Sequence, residues 1–411
     1  MKQLYKFSYK KFLSLLLLLS ISHLLKAQVQ ENKVDFQIGN GLNFSFNNNE
    51  YQFNLGGFIQ PSFSTIKTDG FERENQLNSR RSYLQFSGNA VKEKVSFLFQ
   101  LDYSLADPLL DAWIAYHPHK TTTITVGQKQ TFLNNREMTY REDRLQFTNR
   151  SFLSTNFSNT GREFGVFVSS KFGENFGIVP MLAVTAGDGR NSFGANSRDS
   201  DLGGIKYGGR LDLYPLGFFK SGNDLTSTDL EREENLKFVF GVAASQNIGA
   251  SNLVGEGHGD YILYNLNGEN NYPDYLQIYA DILFKYQGFS LLAEYVNASA
   301  SNINETYTDA NATQILVPTQ ISDFLTLGDS FNIQAGYVTL GGFSFDARYE
   351  NATQEFVNNT NSVFQSADAY SVGLSKYFVG NSLKVQSSYT NFIPTIGSTI
   401  NQIDLLFQIT F

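Results

Sequence analysis

The chain has 411 residues with 31 basic and 39 acidic side chains, a net charge of −8, no cysteine, and 37 Phe and 22 Tyr against one Trp and eight Pro. The acidic balance argues against a nucleic-acid partner held by phosphate neutralisation, and the lack of cysteine excludes disulfide staples, thiol catalysis and thiolate metal sites. An aromatic-rich, proline-poor composition suits many strands rather than helices.

In residues 1–27, Lys2, Lys6, Lys10 and Lys11 precede the apolar run Phe12 to Ile21, and Leu25-Lys26-Ala27 offers a small residue before a cleavage point. That is the layout of a secretory signal peptide. The run is too short to span a bilayer, and no later stretch reaches about 18 apolar residues. Removing residues 1–27 takes away five lysines and no acid, which leaves 26 basic against 39 acidic side chains and a net charge of −13. Residues 28–50 read as a lead-in and first hairpin: Leu42, Phe44 and Phe46 precede the polar turn Asn47-Asn48-Asn49, and Tyr51, Phe53 and Leu55 follow it. The first piece of that hairpin is either a barrel strand or a periplasmic lead-in.

From residue 51 to 411 the apolar–polar alternation of a strand recurs sixteen times, at 51–66, 80–90, 93–103, 110–117, 121–130, 162–171, 176–187, 205–214, 236–246, 275–286, 288–298, 330–340, 342–350, 367–378, 382–390 and 401–411. In one such segment Leu276, Ile278, Ala280, Ile282, Phe284 and Tyr286 oppose Gln277, Asp281 and Lys285. Short connections such as Gln287-Gly288 and Leu340-Gly341 are interleaved with long polar ones near 67–79, 131–161, 188–204, 247–274, 299–329, 351–366 and 391–400. Short turns alternating with long loops are the pattern of an antiparallel up-and-down β-barrel that spans a membrane. Alternation alone also fits a soluble sandwich, but sixteen strands with one greasy face need closure if they sit in lipid. The exception is 215–235, an acidic stretch with Glu231-Arg232-Glu233-Glu234 where a short turn is due. It is either a periplasmic insertion or a sign that the strand count is off by two. The chain closes on Ile403, Leu405, Phe407, Ile409 and Phe411, one outward row that only Leu406 interrupts on its polar side. The expected fold is all-β, a transmembrane barrel of sixteen strands over 51–411, in the outer membrane.

No catalytic constellation, dedicated metal motif or cofactor motif is visible. His117-Pro118-His119 in a turn is a two-ligand pair without a carboxylate or thiolate partner. Asp188-Gly189 and Asp199-Ser200-Asp201 lack the ligand spacing of a calcium loop. The basic residues carry more. The loop 131–161 opens after Lys129, contains Arg136, Arg141, Arg144 and Arg150, and ends at Arg162, with Glu137, Glu142, Asp143 and Glu163 offsetting part of that charge. In a water-filled tube a long loop folded inward narrows the lumen, and its fixed charges decide which ions pass. The alternative is a solvated outer loop with internal ion pairs worth little each. Lumen-facing positions carry Arg81, Arg210, Lys285, Arg348 and Lys384, but also Asp102, Asp212, Asp281, Glu294, Asp346 and Asp404.

Several short motifs, in order, resemble the phosphate-selective porin O and P family. They are Arg80-Arg81-Ser82-Tyr83-Leu84 with Phe86-Ser87-Gly88, Asp111-Ala112-Trp113-Ile114-Ala115-Tyr116, and Ile124-Thr125-Val126-Gly127-Gln128 with Thr131-Phe132. Asn149-Arg150-Ser151 and Gly161-Arg162-Glu163-Phe164-Gly165-Val166 continue the likeness, which covers roughly residues 51–215. The resemblance implies a sixteen-stranded homotrimeric porin whose third outer loop folds into the pore and whose lumen guides anions by basic residues. It also implies that the terminal aromatic, Phe411, is read by the barrel-insertion machinery. The mixed signs of the inward row depart from a basic ladder, so the sequence favours a passive channel for small solutes, with anions such as phosphate as its cargo. The competing readings are an outer-membrane receptor or adhesin binding through loops 247–274 and 299–329, an outer-membrane hydrolase, and a secreted β-rich binding protein.

Overall fold

The computed structural model describes residues 32–190 and 203–411. The signal segment 1–27 and Asp199-Ser200-Asp201 lie outside the described residues. Eighteen strands run in chain order: β1 (Lys33–Gln37), β2 (Gly41–Phe46), β3 (Tyr51–Thr68), β4 (Arg73–Ala90), β5 (Val95–Asp102), β6 (Leu109–His119), β7 (Thr122–Gln130), β8 (Arg162–Ser170) and β9 (Gly177–Thr185). They continue with β10 (Lys206–Tyr214), β11 (Lys237–Asn247), β12 (Asp274–Tyr286), β13 (Phe289–Ser301), β14 (Gly328–Val338), β15 (Phe343–Gln354), β16 (Ala367–Val379), β17 (Leu383–Pro394) and β18 (Ile400–Thr410). Each strand from β3 to β17 pairs antiparallel with the next, and β18 returns to β3 in a register from Ile400↔Thr68 to Thr410↔Phe58. The sixteen strands β3–β18 therefore close into a barrel with no free edge in the lipid.

Beyond Thr410 the row along β3 is taken over by the hairpin β1–β2, with β2 pairing from Leu42↔Leu55 to Phe46↔Tyr51. The terminal residue joins the sheet, since the Phe411 N–H donates to Gly57 O at 2.9 Å and Gly57 N–H donates to Phe411 O at 2.8 Å.

The side chains divide as the period of two requires. On β12, Ile278 is half-exposed on the outer wall while Gln277 and Asp281 are buried inside. A continuous outer belt of Leu, Ile, Val and Phe on an edgeless barrel is a membrane surface. Among the described residues no helix is long and apolar enough to cross a membrane.

The segment 215–235 is an insertion, and no strand pair is missing. It folds back into the barrel from the short-turn end, where Phe219 packs with Tyr214, Val239, Leu283 and Leu292. The stretch 67–79 is mostly strand: β3 and β4 pair as far as Lys67↔Arg73. Residues 69–79 are exposed, so neither face of this hairpin has to be apolar and no alternation marks it.

Candidate functional site in the barrel lumen

Residues 131–161 lie inside the barrel as a short helix α1 (Arg136–Thr139), a 3-10 turn (Glu142–Arg144) and a helix α2 (Phe152–Phe157). This loop has lost its water on most sides, so its polar groups must be paired with the wall. Gln386 on β17 donates to Gln146 O at 2.9 Å, Gln408 on β18 to Asp143 O at 3.0 Å, and Gln277 on β12 to Phe157 O at 2.8 Å. The Gln146 amide reaches Asp346 on β15 at 2.7 Å. Apolar side chains of α2 join outer-loop residues Leu263, Leu316, Ile321, Leu325 and Phe364 in one core against β11–β15. Together with the inserted 215–235 segment, this closes the β10–β16 side of the lumen at both ends.

A four-charge cluster anchors α1. Arg136 Nε lies 2.6 Å from Asp281 and its Nη2 2.9 Å from Asp212, while Arg210 contacts the same two carboxylates at 2.5 and 2.8 Å. Room for it comes from β11. Gly241 is the register partner of both Asp212 and Asp281, and a Cβ there would come within 2.3 Å of Arg210 Nη2. The charges balance, so Arg136 and Arg210 hold the loop and the cluster carries no net charge. Lys285 is equally committed, fully buried with its ammonium donating to Asn223 O, Thr226 O and Thr228 O of the inserted segment. Arg348 stands 3.6 Å from Glu137 and 3.0 Å from Glu350. Lys129 lies over the rings of Phe132 and Phe167.

Open space remains along β3–β6 and β16–β18. An outer cavity of about 680 Å³ is lined by Arg80, Arg81, Arg150, Arg162 and Arg348 against Asp102, Glu142 and Glu350. A smaller inner cavity of about 270 Å³ holds Arg141, Arg144 and Gln85 beside Phe411. Between them the rings of Phe58 and Tyr83 pack 4.3 Å apart, with the Arg141 guanidinium 5.7 Å from the Phe58 ring.

Glu142 organises the outer floor. Arg150 contacts it at 2.7 Å and Arg162 at 3.1 Å, and Arg162 also meets Asp111 at 3.3 Å. Burial pushes the Glu142 carboxyl up, but the Arg162, Arg150 and Arg81 guanidiniums outweigh it and hold the group well below the usual carboxylate range. Arg141 is chelated by Asp143 through two bonds of 2.6 Å and reaches Gln85 at 2.6 Å. Arg81 bonds only Gln60, at 3.0 Å, and among the described residues neither Arg81 nor Arg144 forms an ion pair.

Arg80 escapes a sequence reading because strict alternation turns it toward lipid when Arg81 faces the lumen. The register shifts between Gln60 and Pro61, so Gln60 pairs with Arg81 and Pro61 with Ser79. This bulge turns both guanidiniums inward, and Arg80 reaches Asp404 at 2.6 Å and Asn149 at 2.6 Å. Pro61 was the available signal, because a proline inside a strand marks a bulge or an edge. His117 bonds Ser96 at 2.8 Å and Thr123 at 3.1 Å, and His119 is exposed. No group of three or more His, Asp or Glu side chains suited to a metal occurs among the described residues.

No family model matches the chain, and no characterised protein matches it in sequence. Its fold is similar to solved barrels. The outer membrane channel DcaP of Acinetobacter baumannii is 13% identical, with 88% of this chain and 97% of that chain covered and a TM-score of 0.53. OprB of Pseudomonas putida is 11% identical, with 87% and 94% covered and a TM-score of 0.51. OmpT, an outer membrane protein of Vibrio cholerae in trimer form, is 11% identical, with 87% and 99% covered and a TM-score of 0.51. At such identities the likeness is one of fold. A closed sixteen-stranded barrel with a lipid-facing belt belongs in the outer membrane.

Proposed function

We propose that the chain is an outer-membrane porin, a passive water-filled channel for small solutes that prefers anions, phosphate among them. The observation that carries this reading is the distribution of unpaired charge. Buried ion pairs cancel on the closed side of the lumen, while Arg81, facing Glu142, borders the outer cavity and Arg144, next to Asp143, borders the inner one, neither within ion-pair distance of a carboxylate among the described residues. Charge on outer loops is screened within about 8 Å at physiological salt, so these two groups outweigh a net charge of −13 spread over the mature chain. Arg136, Arg141, Arg150, Arg162 and Lys129 then shape the constriction, and Arg210, Lys285 and Arg348 fix its walls. The permeating ion meets Arg81 first and Arg144 last. This reading takes residues 1–27 as the secretory signal, 28–50 as a lead-in and 51–411 as the barrel. It takes the working unit to be a homotrimer, supported by the trimer form of one protein of similar fold.

The test is the reversal potential across a planar bilayer under a salt gradient. The wild type is expected to favour chloride over potassium. Changing Arg81→Gln and Arg144→Gln together should move the potential toward cation preference while the folded barrel still migrates differently before and after boiling. An unchanged potential in the double variant removes this assignment.

A further inference from the structure

Trp113 is the only tryptophan in the chain. In a membrane barrel an indole belongs at the lipid interface, facing outward. Trp113 instead shares the lumen-facing row of β6 with Asp111 and Ala115, both buried, while Ile114 and Tyr116 are exposed on the outer wall. An unbroken line of register partners joins it to the N-terminal hairpin: Trp113↔Leu98, Leu98↔Ser87, Ser87↔Asn54 and Asn54↔Asn43. The next inward line toward the short turns is Ser96↔Asn89, Asn89↔Gln52 and Gln52↔Ser45. Trp113, Ser87, Asn89 and Gln52 border one cavity of about 470 Å³, and no residue of its lining can ionise. Asn43 and Asn54 border both this cavity and the inner one that holds Arg141 and Arg144, so the two spaces adjoin. On its other flank Trp113 pairs with Gly127, where a Cβ would lie 2.8 Å from Trp113 Cα, so β7 sends no side chain against the ring at that position.

A charged solute finds no counter-charge on this lining, and a wholly apolar one would leave its amides and hydroxyls unpaired. Among the described residues the side chains of Gln52, Ser87 and Asn89 form no hydrogen bond within the chain and are half-buried, so their donors and acceptors are open to a solute. Ser87 stands two strands from Trp113, about 10 Å between backbones, and Asn89 lies two residues further along β4, about 12 Å from Trp113. Less the length of the indole and the amide, that is the width of one sugar ring. A pyranose is a neutral solute with C–H groups on the face of its ring and hydroxyls around the edge: the face covers an indole, and the edge reaches amides and a serine. The cavity volume is within the usual range for a small ligand. We propose that this cavity, at the short-turn mouth of the lumen, is a binding station for pyranose sugars, with Trp113 as the stacking platform and Ser87 and Asn89 as hydrogen-bonding groups. The inference goes beyond the anion reading and does not depend on it, since the guanidiniums act on charged solutes at the constriction and this station acts on neutral ones below it.

As the only indole, Trp113 is its own reporter. Glucose and sorbitol share a carbon chain, and only glucose has a closed ring face. Tryptophan emission of the detergent-solubilised mature barrel is expected to shift saturably with glucose, and calorimetric titration to give an affinity about fivefold above that for sorbitol, the difference coming from covered ring area. Trp113→Ala should erase that ratio in the calorimeter, and Trp113→Phe should keep most of it. Ser87→Ala combined with Asn89→Ala should weaken glucose binding about tenfold, with the emission still available as the readout. A flat emission titration, equal affinity for sorbitol, adenosine binding as tightly as glucose, or a Trp113→Ala barrel of normal heat-modifiability that keeps the full ratio overturns the proposal. Ring-dependent binding by a barrel whose current shows no anion preference removes the anion reading alone. Anion preference in a barrel blind to glucose removes this proposal alone.

Discussion

Removing the Arg136 guanidinium tests whether the inward loop is held by charge or by packing. In Arg136→Met the side chain keeps much of its length, but Asp212 and Asp281 are left with Arg210 alone, in a site where the four side chains are 0–8% exposed. One carboxylate charge is then uncompensated where water cannot reach it. Breaking a buried pair from one side costs about 3–5 kcal/mol, far more than an exposed pair of the same geometry. The second variant, Arg136→Met with Asp212→Leu, restores the balance as a single Arg210–Asp281 pair and should recover roughly half of that loss or more. Equilibrium unfolding in urea from lipid vesicles, read as the fraction migrating as folded barrel without boiling, measures both. Single-channel recordings of Arg136→Met should show larger and noisier current, because α1 loses its tether to β10 and β12. A cost below about 1 kcal/mol, or a double variant as unstable as the sum of its single changes, would refute the reasoning and make packing of α2 the anchor.

Three further outcomes are expected. Arg at Ile278, half-exposed on the lipid face near the middle of β12, should cost about 2–4 kcal/mol by the same urea assay, whereas Arg at Ser87, beside open space on the lumen side of β4, should cost less than about 1. Equal costs would mean that the assigned faces are wrong. Deleting Phe411 removes two hydrogen bonds to Gly57 and the last outward aromatic; fractionation should show less protein in the outer membrane and precursor in the periplasm, and unchanged levels would limit Phe411 to a structural role. In the outer loop, burial and then Glu163 push the Glu256 carboxyl up to about 8 from an ordinary 4.5. Its folded pKa exceeds its unfolded one, so its stabilising contribution is complete below about pH 4.5 and is lost as pH rises through about 8. Limited proteolysis of loop 247–274 should accelerate across that window in the wild type and stay flat in Glu256→Gln; a flat wild-type profile counts against it.

The barrel was legible in the sequence because its physics is local. Lipid on one side and polar groups on the other impose a period of two on every strand, and the sixteen alternating segments coincide with β3–β18 to within a few residues, save where β4 runs on above the lipid. The connections were legible for the same reason, since turns and loops differ in length and composition. The fate of the charges was not. Arg136, Arg141, Arg144 and Arg150 look alike in sequence, yet Arg136 is cancelled by carboxylates from β10 and β12, more than seventy residues away, while Arg144 forms no ion pair among the described residues and borders open space. Only closure of the sheet brings Asp212, Gly241 and Asp281 to one point under α1, and only a shift of register at Pro61 turns Arg80 into the lumen. Periodicity reports which face a residue occupies. Which charge remains free depends on distances across the lumen, and the tertiary structure alone sets those.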